Sequence, residues 1–272
     1  MRTMGQPVWE AIERFWLRDF ETDVPKLNRI LAKTGQQSAG LQVAPPSVLT
    51  GDPNGLEPGN CLMVLGINPG WRNTPEFRAN DIEPALAAHR AGDFERYRKR
   101  RSEYFRGGPE FHGGHYTRLG AALRSAFSNQ ILIQRDRKRS AKELFDKHIL
   151  MADLLPWWSS TAGSLDLARI GNVPFYLEWQ NIVRQWISTF QPQAIIVNTC
   201  GSATRAAIRL LLGVELRSFS MRPRAYCGSY LQTPVFVHPP LNHSRELSHE
   251  RYCALAAEWQ DTTATKVALR VN

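Results

Sequence analysis

Four short apolar runs, each closed by polar or turn-forming residues, constrain this chain more than any other feature. They are Cys61 to Ile67, His148 to Leu155, Ala194 to Asn198 and Val235 to His238. Strands buried on both faces read as continuous apolar runs rather than as alternating ones, and segments of helical character separate these four. The pattern predicts an α/β fold of three layers, α/β/α, around a four-stranded parallel sheet. The runs end in Asn68-Pro69-Gly70, in Asp153 with Pro156, in Asn198-Thr199-Cys200-Gly201, and in His238-Pro239-Pro240. Loops at the carboxyl ends of parallel strands open on one crevice, so these residues are expected to share a site.

Upstream of the first run, Trp9, Ile12, Phe15, Trp16, Leu27, Ile30 and Leu31 recur at helical spacing, interrupted by Pro25, which predicts one or two helices. Residues 34–60, rich in Gly, Pro, Ser and Gln, read as a connecting loop. The chain therefore divides into an N-terminal helical extension and loop, 1–59, and an α/β domain, 60–272.

The 272 residues carry 34 Lys and Arg against 25 Asp and Glu, a net charge of +9, which favours a polyanionic partner. The cations concentrate between Asp81 and Phe127, where Arg96, Arg98, Lys99, Arg100, Arg101 and Arg106 stand among Tyr97, Tyr104 and Phe105. A solvated cationic helix face and a phosphate-contacting face both account for them; Arg100 and Arg101 are the candidate DNA contacts. No apolar run long enough to span a membrane and no secretory leader is present, so a cytoplasmic protein, or a nuclear one in a eukaryote, is expected. Cys61, Cys200, Cys227 and Cys253 contain no C-x-x-C pair and read as buried free thiols. In Phe111-His112-Gly113-Gly114-His115-Tyr116, read as a flexible loop, the two histidines have no further ligand nearby in sequence. No metal and no cofactor is expected. The turn Asn198 to Thr204 lacks the glycine patterns of dinucleotide and nucleoside triphosphate sites.

Gly66-Ile67-Asn68-Pro69-Gly70 resembles the first motif of the mismatch-specific and single-strand-selective branches of the uracil-DNA glycosylase superfamily. His238-Pro239-Pro240-Leu241-Asn242 is similar to that superfamily's second motif, His-Pro-Ser-Pro followed by leucine or arginine. Here either Pro240 replaces the serine, or the serine is deleted and Leu241 takes the wedge position. The resemblance spans residues 60–260 in strand order, without the N-terminal helices or the basic insert. It implies a monomeric DNA base-excision glycosylase that flips a deaminated or modified pyrimidine, in single- or double-stranded DNA, and cleaves its N-glycosidic bond.

Such cleavage leaves positive charge on the sugar and negative charge on the departing base. The resemblance gives His238 the task of donating a hydrogen bond to the base carbonyl where the anion grows, and Asn68 that of placing the water. Gly66, Ile67, Pro69 and Gly70 form the pocket wall, and Trp71 or Phe111 stacks on the base. In single-strand-selective relatives an asparagine reads the uracil edge; Met151-Ala152-Asp153-Leu154-Leu155-Pro156 has that spacing with Asp153 in its place. An ionised carboxylate only accepts hydrogen bonds, so Asp153 suits an exocyclic amino group better than O4 of uracil, unless burial protonates it. Asp153 capping a turn or meeting an arginine is the plainer alternative.

After His238, Leu241 and then Arg245 are the candidate wedges, with Asn242 or Ser244 capping the last helix and contacting the backbone. A nucleic-acid-binding protein on the same fold with lost or altered chemistry is the rival reading.

Overall fold

The computed structural model describes residues 6–33, 39–67, 69–106, 113–127, 141–160, 165–221, 223–240 and 247–271. Asn68, Phe111, Leu241, Asn242, Ser244 and Arg245 lie outside them.

The four apolar runs form β1 (Leu62–Gly66), β2 (Ile149–Asp153), β3 (Ile195–Val197) and, last in the chain, β6 (Thr233–Val237), and these pair in parallel. The expectation of a four-stranded parallel sheet is nevertheless corrected. β4 (Arg217–Met221) and β5 (Arg224–Tyr230) add antiparallel beside β6, giving a mixed sheet of six strands among the described residues, in the order β2-β1-β3-β6-β5-β4.

Alternation along each parallel strand feeds two cores. Met63, Leu65, Leu150, Ala152, Ile195, Val197, Val235 and Val237 face one, with Leu62, Val64, Ile149, Ile196 and Phe236 on the other. The first core is closed by α1 (Gln6–Trp16), α2 (Phe20–Leu31), α8 (Pro174–Phe190) and α9 (Ser202–Leu212). The second is closed by α6 (Gly113–Phe127), α7 (Ala141–His148) and α10 (His249–Val271). Between β1 and α6 run α3 (Pro75–Phe77), a π-helical turn, α4 (Glu83–Arg90) and α5 (Phe94–Ser102).

Several local expectations are refined. The break between the first two helices falls at Leu17 to Asp19, where the Asp19 side chain caps Thr22 N, and Pro25 sits inside α2. Residues 44–49 are irregular yet buried, because Ser47 N bonds to Pro156 O at 2.8 Å and Val48 N to the Tyr97 hydroxyl at 3.1 Å. Gly113 to Tyr116 begin α6 rather than continuing a loop. At the N-terminus of α10 the Ser248 hydroxyl accepts from Arg251 N at 3.3 Å, while the two residues expected to cap it, Asn242 and Ser244, lie outside the described residues. None of the four cysteines is in a disulfide; Cys61 and Cys227 are buried, and Cys200 and Cys253 are partly buried. Among the described residues no helix is long and apolar enough to cross a membrane.

Candidate active site

Register brings two of the predicted residues together. Gly66 and Asp153 are partners across the parallel ladder at the ends of β1 and β2. The Asp153 carboxyl lies over the Gly66 α-carbon, where a Cβ on residue 66 would overlap Oδ1. Glycine is required there by close approach, not by a left-handed backbone.

The exit from β2 is fixed from two sides. Leu154 N and Leu155 N bond back to Gly66 O and Ile67 O at 3.0 and 2.8 Å, tying both strand ends together. From α8, Trp179 Nε1 donates to Asp153 O at 2.9 Å and the Tyr176 hydroxyl to Leu154 O at 3.0 Å. Held in this way, the Asp153 carboxyl is desolvated and pushed up to about 7, with the Arg101 cation pulling the other way. Asp153 therefore changes charge near neutral pH. It can accept hydrogen bonds when ionised and donate one when protonated.

His238 follows β6 directly. Its backbone N–H bonds to Val197 O at 3.1 Å, and its ring, 0 % exposed, packs on Phe236 and Tyr252 with centroids 4.9 Å away in each case. Burial drives its pKa down to about 4, so the imidazole is neutral at physiological pH. Nδ1 lies 2.8 Å from Pro239 O. A carbonyl only accepts, so the single ring proton sits on Nδ1 and Nε2 carries a lone pair.

The sequence supplies the cause. Pro239 and Pro240 both lack an N–H, so neither following residue can donate to Nδ1. In the neutral ring so arranged Nε2 is an acceptor, and the donor role expected of His238 would need a second ring proton or the other tautomer. That nitrogen is buried with no hydrogen-bond partner among the described residues, and so is the hydroxyl of Tyr252 on α10.

The remaining predicted residues occupy varied settings. Pro69 and Gly70 leave β1 beside the β2 loop, with Ser159 N bonded to Pro69 O and Trp71 N to Ser159 O, both at 3.2 Å. A Cβ on Gly70 would meet nothing, so open space adjoins it. Trp71 is partly buried, with its ring edge-on to Phe77 at 5.5 Å; Phe77 meets Trp158 in the same way at 5.6 Å. Arg100 is partly buried and its Nη2 donates to Asn80 O at 2.6 Å.

Arg101 is 7 % exposed, and its guanidinium bonds to Leu49 O at 2.8 Å and Thr50 Oγ1 at 3.1 Å. It braces the buried 44–50 loop from inside, which places it behind the surface rather than on it. Three further residues that shape the site were not singled out by sequence: Tyr176 and Trp179, which clamp the β2 exit, and Tyr252. The last stands on the same helical stripe as Leu255, Ala256 and Trp259, a polar-tipped residue at a core position. That position is the only signal of it in the sequence.

Across β2-β1-β3-β6, three strand spacings, about 14 Å, separate the backbones of Asp153 and His238. No family model matches the chain, and no curated protein matches it.

Proposed function

We propose that this protein is a monomeric, monofunctional DNA base-excision glycosylase of the uracil-DNA glycosylase type, acting on a flipped deaminated or modified pyrimidine without a cofactor. One observation carries the reading. At the shared carboxyl end of four parallel strands stand a desolvated carboxyl over Gly66 and, beyond the neighbouring strands, a buried neutral imidazole with an unpartnered nitrogen. Keeping such a nitrogen dry and without a partner costs stability, and sites that bear this cost are commonly functional.

In the proposed reaction the C1′–N bond breaks and its electron pair leaves with the base. Water, placed by Asn68, forms the new bond to C1′ and gives up a proton, and the released base takes one up. Protonated, Asp153 donates to a base carbonyl as negative charge develops; ionised, it accepts from an exocyclic amino group. His238 Nε2 accepts from a base N–H or from a water. Ionised Asp153 and the His238 lone pair both favour a donor-bearing base edge, so with Asp153 ionised an amino-bearing pyrimidine fits better than uracil. The test is single-turnover base release by Asn68→Ala and His238→Gln beside wild type, with folding followed by circular dichroism. Loss of release in folded variants supports the roles, whereas full activity in both refutes them.

The same lone pair favours a second reading. An acceptor at His238 does not stabilise a developing anion, as a nucleic-acid-binding module with altered chemistry would not need to. DNA binding without base release, and unaffected by Asn68→Ala, is the result that selects it.

A further inference from the structure

Beside the β2 exit lies a cleft of about 250 Å³, walled on one side by Pro45, Pro46 and Trp158 and on the other by α4 and α5. Its charged lining comprises Arg96, Lys99, Arg100 and Arg101 against Asp81 and Glu103. The walls are built rather than incidental. Trp158 Nε1 donates to Pro45 O at 2.9 Å, Tyr97 accepts from Val48 N, and buried Arg101 holds the loop between them.

The cations on the rim differ from their neighbours. Arg98 is neutralised by Glu95 at 2.6 Å and Arg106 by Asp146 at 3.1 Å. Arg96 and Lys99 are exposed and make no ion pair among the described residues. Exposed cations outside any ion pair, beside an apolar-walled recess, match an anion attached to a flat organic group, which is the chemistry of a nucleotide. A duplex presents its phosphates on a convex cylinder that cannot enter such a recess, whereas an unpaired nucleotide can.

We propose that this cleft holds one nucleotide of a single-stranded nucleic acid, with its phosphate between Arg96 and Lys99, and so gives the protein a preference for unpaired strands. The proposal rests on the nucleic-acid reading of the chain but not on base release. Arg101 lines the cleft and also acts electrostatically on Asp153, so the cleft lies on the Asp153 side of the sheet.

The test measures binding of a labelled oligothymidine, the RNA of matching sequence and a duplex of the same length. It compares wild type, Arg96→Glu/Lys99→Glu, and a control of equal charge change on the opposite sheet edge, Arg217→Glu/Arg224→Glu, whose side chains are exposed. The cleft variant is expected to lose about tenfold in single-strand affinity, with a salt slope shallower by about 1.4, while the control keeps the wild-type slope. The DNA and RNA arms identify which strand is preferred. Tighter binding to duplex, equal losses in both variants, no loss in the cleft variant, or no binding by wild type would overturn the proposal. Single-strand binding lost only in the cleft variant, by a protein that releases no base, would sustain the cleft and refute the glycosylase.

Discussion

The Nδ1–H of His238 donates to the carbonyl oxygen of its own neighbour, Pro239, across 2.8 Å. The bond locks the tautomer, and the two prolines that follow the histidine offer nothing to reverse it. Long-range ¹H–¹⁵N NMR correlations are expected to find His238 as the neutral Nδ1–H tautomer, titrating near 4. A ring that titrates at the ordinary histidine value, or carries its proton on Nε2, would contradict this.

His238 and Asp153 pull stability in opposite directions. The pKa of His238 falls on folding from 6.5 to about 4, so the unfolded chain binds the extra proton between those values. Its contribution is complete above 6.5 and is lost as pH falls through about 4. The pKa of Asp153 rises from 3.8 to about 7, so its contribution is complete below 3.8 and is lost as pH rises through about 7. Over the shared window the two slopes nearly cancel. In Asp153→Asn the stability from urea unfolding is expected to rise by about 3 kcal/mol between pH 4 and 6.5, and in His238→Gln to fall over the same range. Parallel profiles for both variants would rule out the opposed titration.

Gly66 and Asp153 are coupled by contact. Gly66→Ala is expected to cost about 1 to 3 kcal/mol, because the new Cβ occupies the place of the carboxyl. Asp153→Gly empties that place, so the double variant should recover part of the loss. Additive costs in denaturant unfolding would show that the two residues do not share the space.

The parallel part of the sheet was legible because Leu62 to Leu65, Ile149 to Ala152, Ile195 to Val197 and Val235 to Val237 are apolar on both faces. The antiparallel pair was not. β4 exposes Arg217, Ser218 and Met221 at the sheet edge, and β5 mixes Arg224, Ser229 and Gly228 with Ala225 and Cys227, so neither forms an apolar run. The hairpin joining β5 to β6 hides its signal as well. It turns on Leu231 and Gln232, with φ of 46° and 77°, where asparagine and glycine are the usual markers. At the site, strand ends located Gly66, Asp153 and His238, but the proton position on His238 depends on which atom faces Pro239 O. Tyr252 was hidden by a helical stripe that reads as ordinary core.

The same turn yields a stability prediction. Leu231, 76 % exposed, and Gln232 hold left-handed backbone at a cost that Asn and Gly largely avoid. Leu231→Asn/Gln232→Gly is expected to stabilise the fold by about 1 kcal/mol, seen as a higher denaturation midpoint at unchanged m. A lower midpoint would contradict the strained-turn account.

Base release from labelled oligonucleotides carrying uracil, hypoxanthine, mismatched thymine, cytosine or modified cytosines, read as alkali-sensitive breaks for wild type and Asp153→Asn, separates a glycosylase from a binding module. Release of an amino-bearing pyrimidine by wild type, with activity moving toward uracil in Asp153→Asn, is the predicted result. Absence of breaks on every base in both proteins, while both still bind DNA, would contradict it.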